Sequence, residues 1–354
     1  MMLKALSLMD TVYVIVYAIF AFIFGSVIGS FLNVVILRTP EKQSIVKEPS
    51  HCFSCGHRLA WYDMFPIFSW LLLRGKCRYC KAPYSPRYMI FEAITAVLYC
   101  LAFLFFGFSL QLAYSAILFA VLVVLSGVDI DRFEIPYWCS GVVAVLGISA
   151  FFLLKDECSW QERLISFGII VVLFGIMVLI GGMGGGDFQL MSASALLLGY
   201  RIFAALFIGI FLGSVYGVIK KLRDRKTEKE ITEKILRLVE DWYNDQLDRD
   251  VGYVTEGNED IIVGSISDGA PDIEWEFLEE KVWKGLPDKA ALSRTLRKNV
   301  SDEREGGFKI FISGQEIKKV KYSRRMAFGP FLAVGIAASW LVGFVIVGWY
   351  INLF

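Results

Sequence analysis

One uninterrupted apolar stretch decides the fold: residues 110–129 have the sequence LQLAYSAILFAVLVVLSGVD. Its first 19 residues carry no charge, and the carboxylate of Asp129 closes it. A helix needs about 20 mainly apolar residues to cross the hydrocarbon core of a bilayer. We therefore expect this segment to be a transmembrane helix with an ionisable side chain at one end.

Similar apolar stretches recur along the chain, and together they predict about eight spans. They are residues 11–37, 89–106, 110–128, 138–154, 164–180, 190–198 with its flanks, 202–219 and 328–351. The composition agrees, since the 354 residues are 56% hydrophobic and 20% charged, and the mean hydropathy is +0.56. Soluble domains carry about 25% charged residues, so a soluble enzyme is disfavoured.

The charged residues are distributed very unevenly. The chain has 36 basic and 35 acidic residues, of which 21 and 23 lie within residues 221–325. We therefore predict an all-α polytopic membrane protein with a small soluble α+β insert. The net charge of +1 gives no reason to expect nucleic acid as a partner.

The predicted organisation has five parts. They are a first transmembrane segment (1–37), a four-cysteine loop (38–88), a transmembrane core (89–219), a charged insert (220–326) and a last transmembrane segment (327–354). The loop carries nine Lys and Arg residues against three acidic ones. Basic loops remain on the cytoplasmic side, which predicts that the N-terminus lies outside. Residues 129–137, 181–187 and the insert then also face the cytoplasm.

Two C-x2-C pairs stand in this loop, Cys52 with Cys55 and Cys77 with Cys80, separated by 21 residues. Four thiolates at such spacing are typical of a closed, structural zinc site. A redox pair or a disulfide pair is the alternative. A reducing cytoplasm disfavours a disulfide, and two C-x2-C pairs are unusual for a redox site. We expect His51 and His57 to be neighbours of the site rather than ligands.

Carboxylates end two of the apolar segments on the predicted cytoplasmic side. Asp129 and Asp131 follow the third segment, and Asp187 follows a glycine run that includes Gly184 and Gly186. Two carboxylates in close proximity share a proton and can activate a water, as in aspartic proteases. A solvated helix end is the alternative for Asp129, and the residues alone do not choose between Asp129 and Asp131.

The insert shows weaker patterns. Residues 228–247 have apolar positions at helical spacing, residues 288–299 could form a second helix, and residues 260–263 and 308–312 resemble short strands. We expect an accessory domain, for which only its position suggests a regulatory or docking role.

Several motifs in the right order resemble the type IV prepilin leader peptidases. The resemblance covers residues 25–217 and 327–350. It rests on GSFLNV at 29–34, the four-cysteine loop, Asp129 seven residues before Pro136, the GxGD pattern at 184–187 and FGPFLA at 328–333. Departures from the family pattern occur at Met64, Tyr137 and Gln189.

The resemblance implies a two-step reaction in the bacterial cytoplasmic (inner) membrane. Asp129 and Asp187 would cleave the leader of type IV prepilin or pseudopilin precursors at the cytoplasmic face. The new N-terminus would then be methylated with S-adenosylmethionine, an activity that the family links to the zinc loop. A non-catalytic zinc-loop scaffold of a pilus or secretion system, or a peptidase without methylation, is the alternative. The residues that bind S-adenosylmethionine cannot be identified from the sequence.

Overall fold

The computed structural model describes residues 8–45, 49–154, 158–181, 183–223, 262–267, 305–312, 315–323 and 326–351. The chain divides into two compact units. The first comprises Met1–Gly213 and Ala327–Phe354, and the second comprises Ser214–Met326.

Helices account for most of the described structure of the first unit. They are α1 (Leu8–Arg38), α2 (Phe68–Leu73), α3 (Arg87–Phe106), α4 (Leu110–Arg132), α5 (Tyr137–Leu153), α6 (Trp160–Leu179), α7 (Gly185–Leu198), α8 (202–223, which runs on into the second unit) and α9 (Gly329–Ile351). Short 3-10 turns lie at Trp61–Met64 and Gly199–Arg201. Each predicted apolar segment coincides with one of the longer helices, which confirms a helical membrane protein.

Five helical stretches of the described chain are long and apolar enough to cross a membrane. They are Thr11–Arg38, Arg87–Phe106, Leu110–Arg132, Trp160–Leu179 and Gly185–Arg223, the last of which joins α7 to α8. Shorter apolar helices cover Tyr137–Leu153 and Gly329–Val342. The number of crossings, predicted as about eight, therefore stays a prediction.

Helix α4 lies at the centre of the bundle, and 67% of its most apolar stretch is buried. Its polar side chains find partners within the protein, because hydrocarbon offers none. The indole N–H of Trp340 in α9 donates to the buried hydroxyl of Ser115 over 2.7 Å. The hydroxyl of Tyr99 in α3 donates to the carbonyl of Ala116 over 2.8 Å. These bonds fix the order in which α3 and α9 pack against α4.

A buried arginine caps the C-terminal end of α7. Arg163, near the start of α6, is 1% exposed and donates to the carbonyls of Leu196 and Leu197 at 3.0 and 2.5 Å. The last carbonyls of a helix have no partners within it, and a cation there also interacts favourably with the negative end of the helix dipole. Arg163 therefore joins α6 to α7 without leaving a buried charge unsatisfied.

The second unit contains a three-stranded antiparallel sheet in the order β1 (Ile262–Ser267), β2 (Glu305–Ile312) and β3 (Gln315–Ser323). Ile262 pairs with Phe311, and Ile312 pairs with Gln315. The predicted strand at 308–312 lies within β2, and the one at 260–263 overlaps β1 only from residue 262. The predicted helices at 228–247 and 288–299 lie outside the described residues.

Candidate active site and four-cysteine centre

Asp129 lies in the last turn of α4, where the helix ends at Phe133 in the left-handed conformation. The N–H of Phe133 donates to the carbonyl of Asp129 over 2.9 Å, which terminates the helix directly after the carboxylate. The Asp129 side chain accepts a hydrogen bond of 2.8 Å from the backbone N–H of Gly329, the first residue of α9. Only 5% of Asp129 is exposed, so it is a buried carboxylate with a fixed orientation.

Gly329 is required at this contact by the close approach of the two elements. A Cβ atom at residue 329 would lie 2.7 Å from Oδ2 of Asp129, closer than Cβ atoms approach other groups. Any side chain there would displace either the carboxylate or the start of α9. The glycine thus supplies a donor and leaves room for the acceptor.

Asp187 lies in the first turn of α7, after Gly184 as the N-terminal cap. It is half-buried, and it is near enough to Asp129 for the two charges to interact. Gly186 makes this approach possible, because a Cβ atom there would lie 2.9 Å from Cβ of Ile135. The start of α7 can therefore pack against the segment that follows α4, at the same end of the bundle as Asp129.

Asp129 and Asp131 have different partners in the structure, a distinction that the residues alone did not make. Arg87, the first residue of α3, makes an ion pair with both carboxylate oxygens of Asp131, one of them at 2.7 Å. The same guanidinium donates to the carbonyl of Gly127 over 3.0 Å. Asp131 is therefore held in a structural ion pair between α3 and α4, whereas Asp129 accepts its hydrogen bond from Gly329.

Sequence reasoning missed both of these partners. Gly329 belongs to a motif quoted only as a family resemblance, and Arg87 was counted only as a loop charge. An arginine at the first position of α3 and an aspartate in the last turn of α4 lie at the same membrane face in the predicted topology. That topology was the signal by which the ion pair could have been found.

The four cysteines of the loop come together, as the spacing predicts. The Sγ atoms of Cys52, Cys55, Cys77 and Cys80 all lie within 4.8 Å of one another, and those of Cys52 and Cys80 are 3.8 Å apart. Tetrahedral coordination with Zn–S bonds of about 2.3 Å places sulfurs about 3.8 Å apart. The donor set and its dimensions therefore fit a structural zinc ion, and both histidines lie outside this group.

The two C-x2-C pairs have the same backbone fold. The N–H of Gly56 donates to the carbonyl of Cys52, and the N–H of Lys81 donates to that of Cys77, at 2.8 and 3.0 Å. Gly56 and Lys81 both have positive φ, +68° and +61°. The backbone N–H groups of Cys55 and Ser54 lower the pKa of the Cys52 thiol to about 6. Each C-x2-C pair, here called a knuckle, thus directs its two thiols toward the same point. In the first knuckle the backbone favours the thiolate form of Cys52.

Buried polar contacts connect the four-cysteine loop internally. Asp63 is buried and pairs with Nε of Arg78 at 2.6 Å, and the hydroxyl of Tyr79 donates to it over 3.3 Å. The hydrogen bond to Asp63 raises the pKa of the Arg78 guanidinium. The turn at Trp61–Met64 is thereby tied to the second knuckle.

The positions at which the chain departs from the family pattern are exposed. Met64, Tyr137 and Gln189 all have large accessible fractions.

A helical membrane bundle with two buried or half-buried carboxylates at one end fits the class of membrane aspartic peptidases. Residues 23–106 match the Bacterial Peptidase A24 N-terminal domain, and residues 116–218 match the Type IV leader peptidase family. The chain belongs to the type IV leader peptidase family. No solved structure matches it.

Curated relatives carry the name prepilin leader peptidase/N-methyltransferase. The protein of Myxococcus xanthus is 34% identical over 214 residues, which cover 58% of this chain and 64% of the relative. The protein of Xanthomonas campestris is 32% identical over 238 residues, covering 57% and 82%. That of Bacillus subtilis is 30% identical over 212 residues, covering 59% and 85%. The chain thus spans less than two thirds of the Myxococcus relative and more of the other two.

Proposed function

We propose that this protein cleaves the leader peptide of type IV prepilin-like precursors and then N-methylates the new N-terminal residue. The observation that carries the proposal is the buried Asp129 carboxylate, oriented by Gly329, at the end of the bundle where the first turn of α7 holds Asp187. Family membership supplies the reaction and the substrate class. The site supplies two carboxylates at one end of the helices, where a peptide beside a membrane span can reach them.

The proposed cleavage uses both aspartates, which share one proton. The ionised carboxylate takes a proton from water as the water attacks the scissile carbonyl, and the protonated one donates a hydrogen bond to the carbonyl oxygen. Collapse of the tetrahedral intermediate returns a proton to the leaving amine. Gly329 keeps Asp129 in one orientation through this cycle. Gly184 has no side chain beside Oδ2 of Asp187, and Gly186 lets the start of α7 pack against Ile135.

The second step is assigned to the four-cysteine loop through the family resemblance. Cys52, Cys55, Cys77 and Cys80 would hold the zinc ion, which keeps the loop folded. S-adenosylmethionine would supply the methyl group to the newly released amine. Its binding residues stay unassigned in the described part of the chain.

We infer that this chemistry lies at the cytoplasmic face of a bacterial inner membrane, with the N-terminus outside. The nine basic residues of the loop support that orientation. The ends of α3, α4, α7 and α9 that surround Asp129 share one end of the bundle, as this topology requires. The precursor's basic leader would remain in the cytoplasm while its apolar helix lies in the bilayer.

Co-expression with a type IV prepilin, followed by mass spectrometry of the pilin, tests the proposal. The expected product lacks the leader and carries one additional methyl group. A pilin that retains its leader would instead indicate the non-catalytic scaffold. A cleaved pilin without the methyl group would indicate a peptidase alone.

A further inference from the structure

The four-cysteine loop contains an uncharged apolar segment that neither catalysis nor metal binding explains. Residues 64–73 have the sequence MFPIFSWLLL, within a loop that otherwise carries nine basic residues. They form the turn before α2 and α2 itself, which buries none of its residues. The side chains of Met64, Phe65, Phe68, Leu71 and Leu72 are all exposed. So many exposed apolar side chains within ten residues mark an interaction surface.

A hydrogen bond fixes how close this segment lies to the membrane. The backbone N–H of Ile67 donates to Oε2 of Glu92 over 2.8 Å. Glu92 stands five residues after Arg87, the start of the candidate span α3, and therefore about 7–8 Å along it. Side chains lean toward the start of their helix, so Ile67 lies level with the first turns of α3. The segment thus begins at the height where a membrane-spanning helix enters the bilayer.

Ile67 adopts a backbone conformation that is unfavourable for isoleucine. Ile67 has φ +64° and ψ −54°, and the N–H of Phe68 donates to the carbonyl of Pro66 over 2.6 Å. This is a γ-turn of the rare, strained kind, which is unfavourable for a β-branched residue. Such a conformation persists only where the surroundings enforce it, and the buried Glu92 carboxylate does so here.

Exposed basic side chains follow the apolar segment directly. Arg74 ends α2 in the left-handed conformation, and Lys76 comes two residues later. Apolar side chains beside Lys and Arg are the composition of segments that lie in the headgroup region of an anionic bilayer. The charge and the hydrophobicity of this segment therefore both favour an anionic lipid surface as its partner.

We propose that residues 64–73 form an interfacial anchor, which inserts its apolar side chains into the anionic lipid leaflet where α3 begins. Arg74 and Lys76 contact the lipid headgroups. The anchor holds the four-cysteine loop on the membrane surface, and it does not depend on either proposed enzymatic activity.

Photo-crosslinking of the full chain in nanodiscs of phosphatidylethanolamine and phosphatidylglycerol tests the anchor. One variant carries p-benzoylphenylalanine in place of Leu72, and a control carries it in place of Phe53, at the tip of the first knuckle. The two positions match in exposure, 81% and 80%, so accessibility does not distinguish them. Retained zinc in both variants shows that the loop is folded.

The expected result is a lipid mass adduct at residue 72 and none at residue 53. Replacing the anionic lipid with phosphatidylcholine, or changing Arg74 and Lys76 together to Gln, should reduce the yield of that adduct. The absence of a lipid adduct at residue 72, or equal adducts at both positions, would overturn the anchor. So would an adduct to added prepilin in place of lipid, which would make the segment a substrate-docking surface.

Discussion

The backbone N–H of Gly329 lies 2.8 Å from Oδ2 of Asp129, and this bond joins residues 200 positions apart in the chain. It connects the start of α9 to the last turn of α4. Because Oδ2 accepts this bond, the carboxylate of Asp129 has a fixed orientation. The arrangement therefore makes the last helix part of the candidate active site.

Replacement of Asp129 or Asp187 with Asn should abolish leader cleavage. The amide has the same shape as the carboxylate but cannot exchange the shared proton, and general acid–base catalysis contributes about 10²–10⁴-fold. The measurement is the rate of leader release from purified prepilin. Glu134→Gln, at an exposed site beside the same turn, is the matched control and should retain activity. Full activity of either Asn variant would remove that residue from the mechanism.

Gly329→Ala should reduce kcat for cleavage by roughly 10²-fold, because displacement of a catalytic group by about 1 Å has an effect of this size. The new Cβ atom would meet the Asp129 carboxylate at 2.7 Å unless one of the two elements moves. KM should change little, since the substitution does not remove a substrate contact. Gly141→Ala is the control, because a Cβ atom at residue 141 meets nothing within 4 Å. Equal kinetics for the two variants would contradict the positioning role.

Arg87 and Asp131 should show a favourable coupling energy of about 1 kcal/mol in a double-mutant cycle, as expected for a partly exposed pair. Arg87→Gln and Asp131→Asn are the single changes, and thermal unfolding in detergent is the readout. Asp131→Asn should retain cleavage, in contrast to Asp129→Asn. Loss of catalysis at normal stability in Asp131→Asn would assign Asp131 a chemical role.

Cys52→Ser or Cys77→Ser should release zinc and impair methylation more than cleavage. The four thiols form a closed set, so removal of one ligand opens the coordination shell. Zinc content by elemental analysis and the pilin mass spectrum give the two readouts. Cys100→Ser, in α3 and away from the loop, should alter neither. Methylation that continues unchanged without bound zinc would contradict the proposed role of the loop.

Features encoded within a few adjacent residues could be predicted from the sequence. The apolar stretch before Asp129 forms α4, and the two C-x2-C pairs bring four thiols together. Both depend on local rules, which are helix length in hydrocarbon and thiol spacing around one ion. The helical segments were therefore located correctly, and the catalytic pair stays a prediction supported by its geometry.

Contacts across long separations could not be predicted. The residues alone did not choose between Asp129 and Asp131, and only the family resemblance favoured Asp129. The physical difference between them, the ion pair of Arg87 with Asp131, depends on the packing of α3 against α4. Strand β3 was missed because Lys318 and Lys319 interrupt its alternation of polar and apolar residues. Helix α7 begins at Gly185, in the flank of the predicted segment 190–198, because its first turn is built from glycines and Asp187.

The hydrogen bond from Gly329 also sets the order in which the site can be assembled. Ribosomes make Asp129 and Asp187 first, and the whole charged insert follows before α9 emerges. A nascent chain therefore has both carboxylates in the membrane before it has the donor that orients one of them. The hydrogen bond that orients Asp129 can therefore form only after α9 has been made, and a chain interrupted within the insert would lack it.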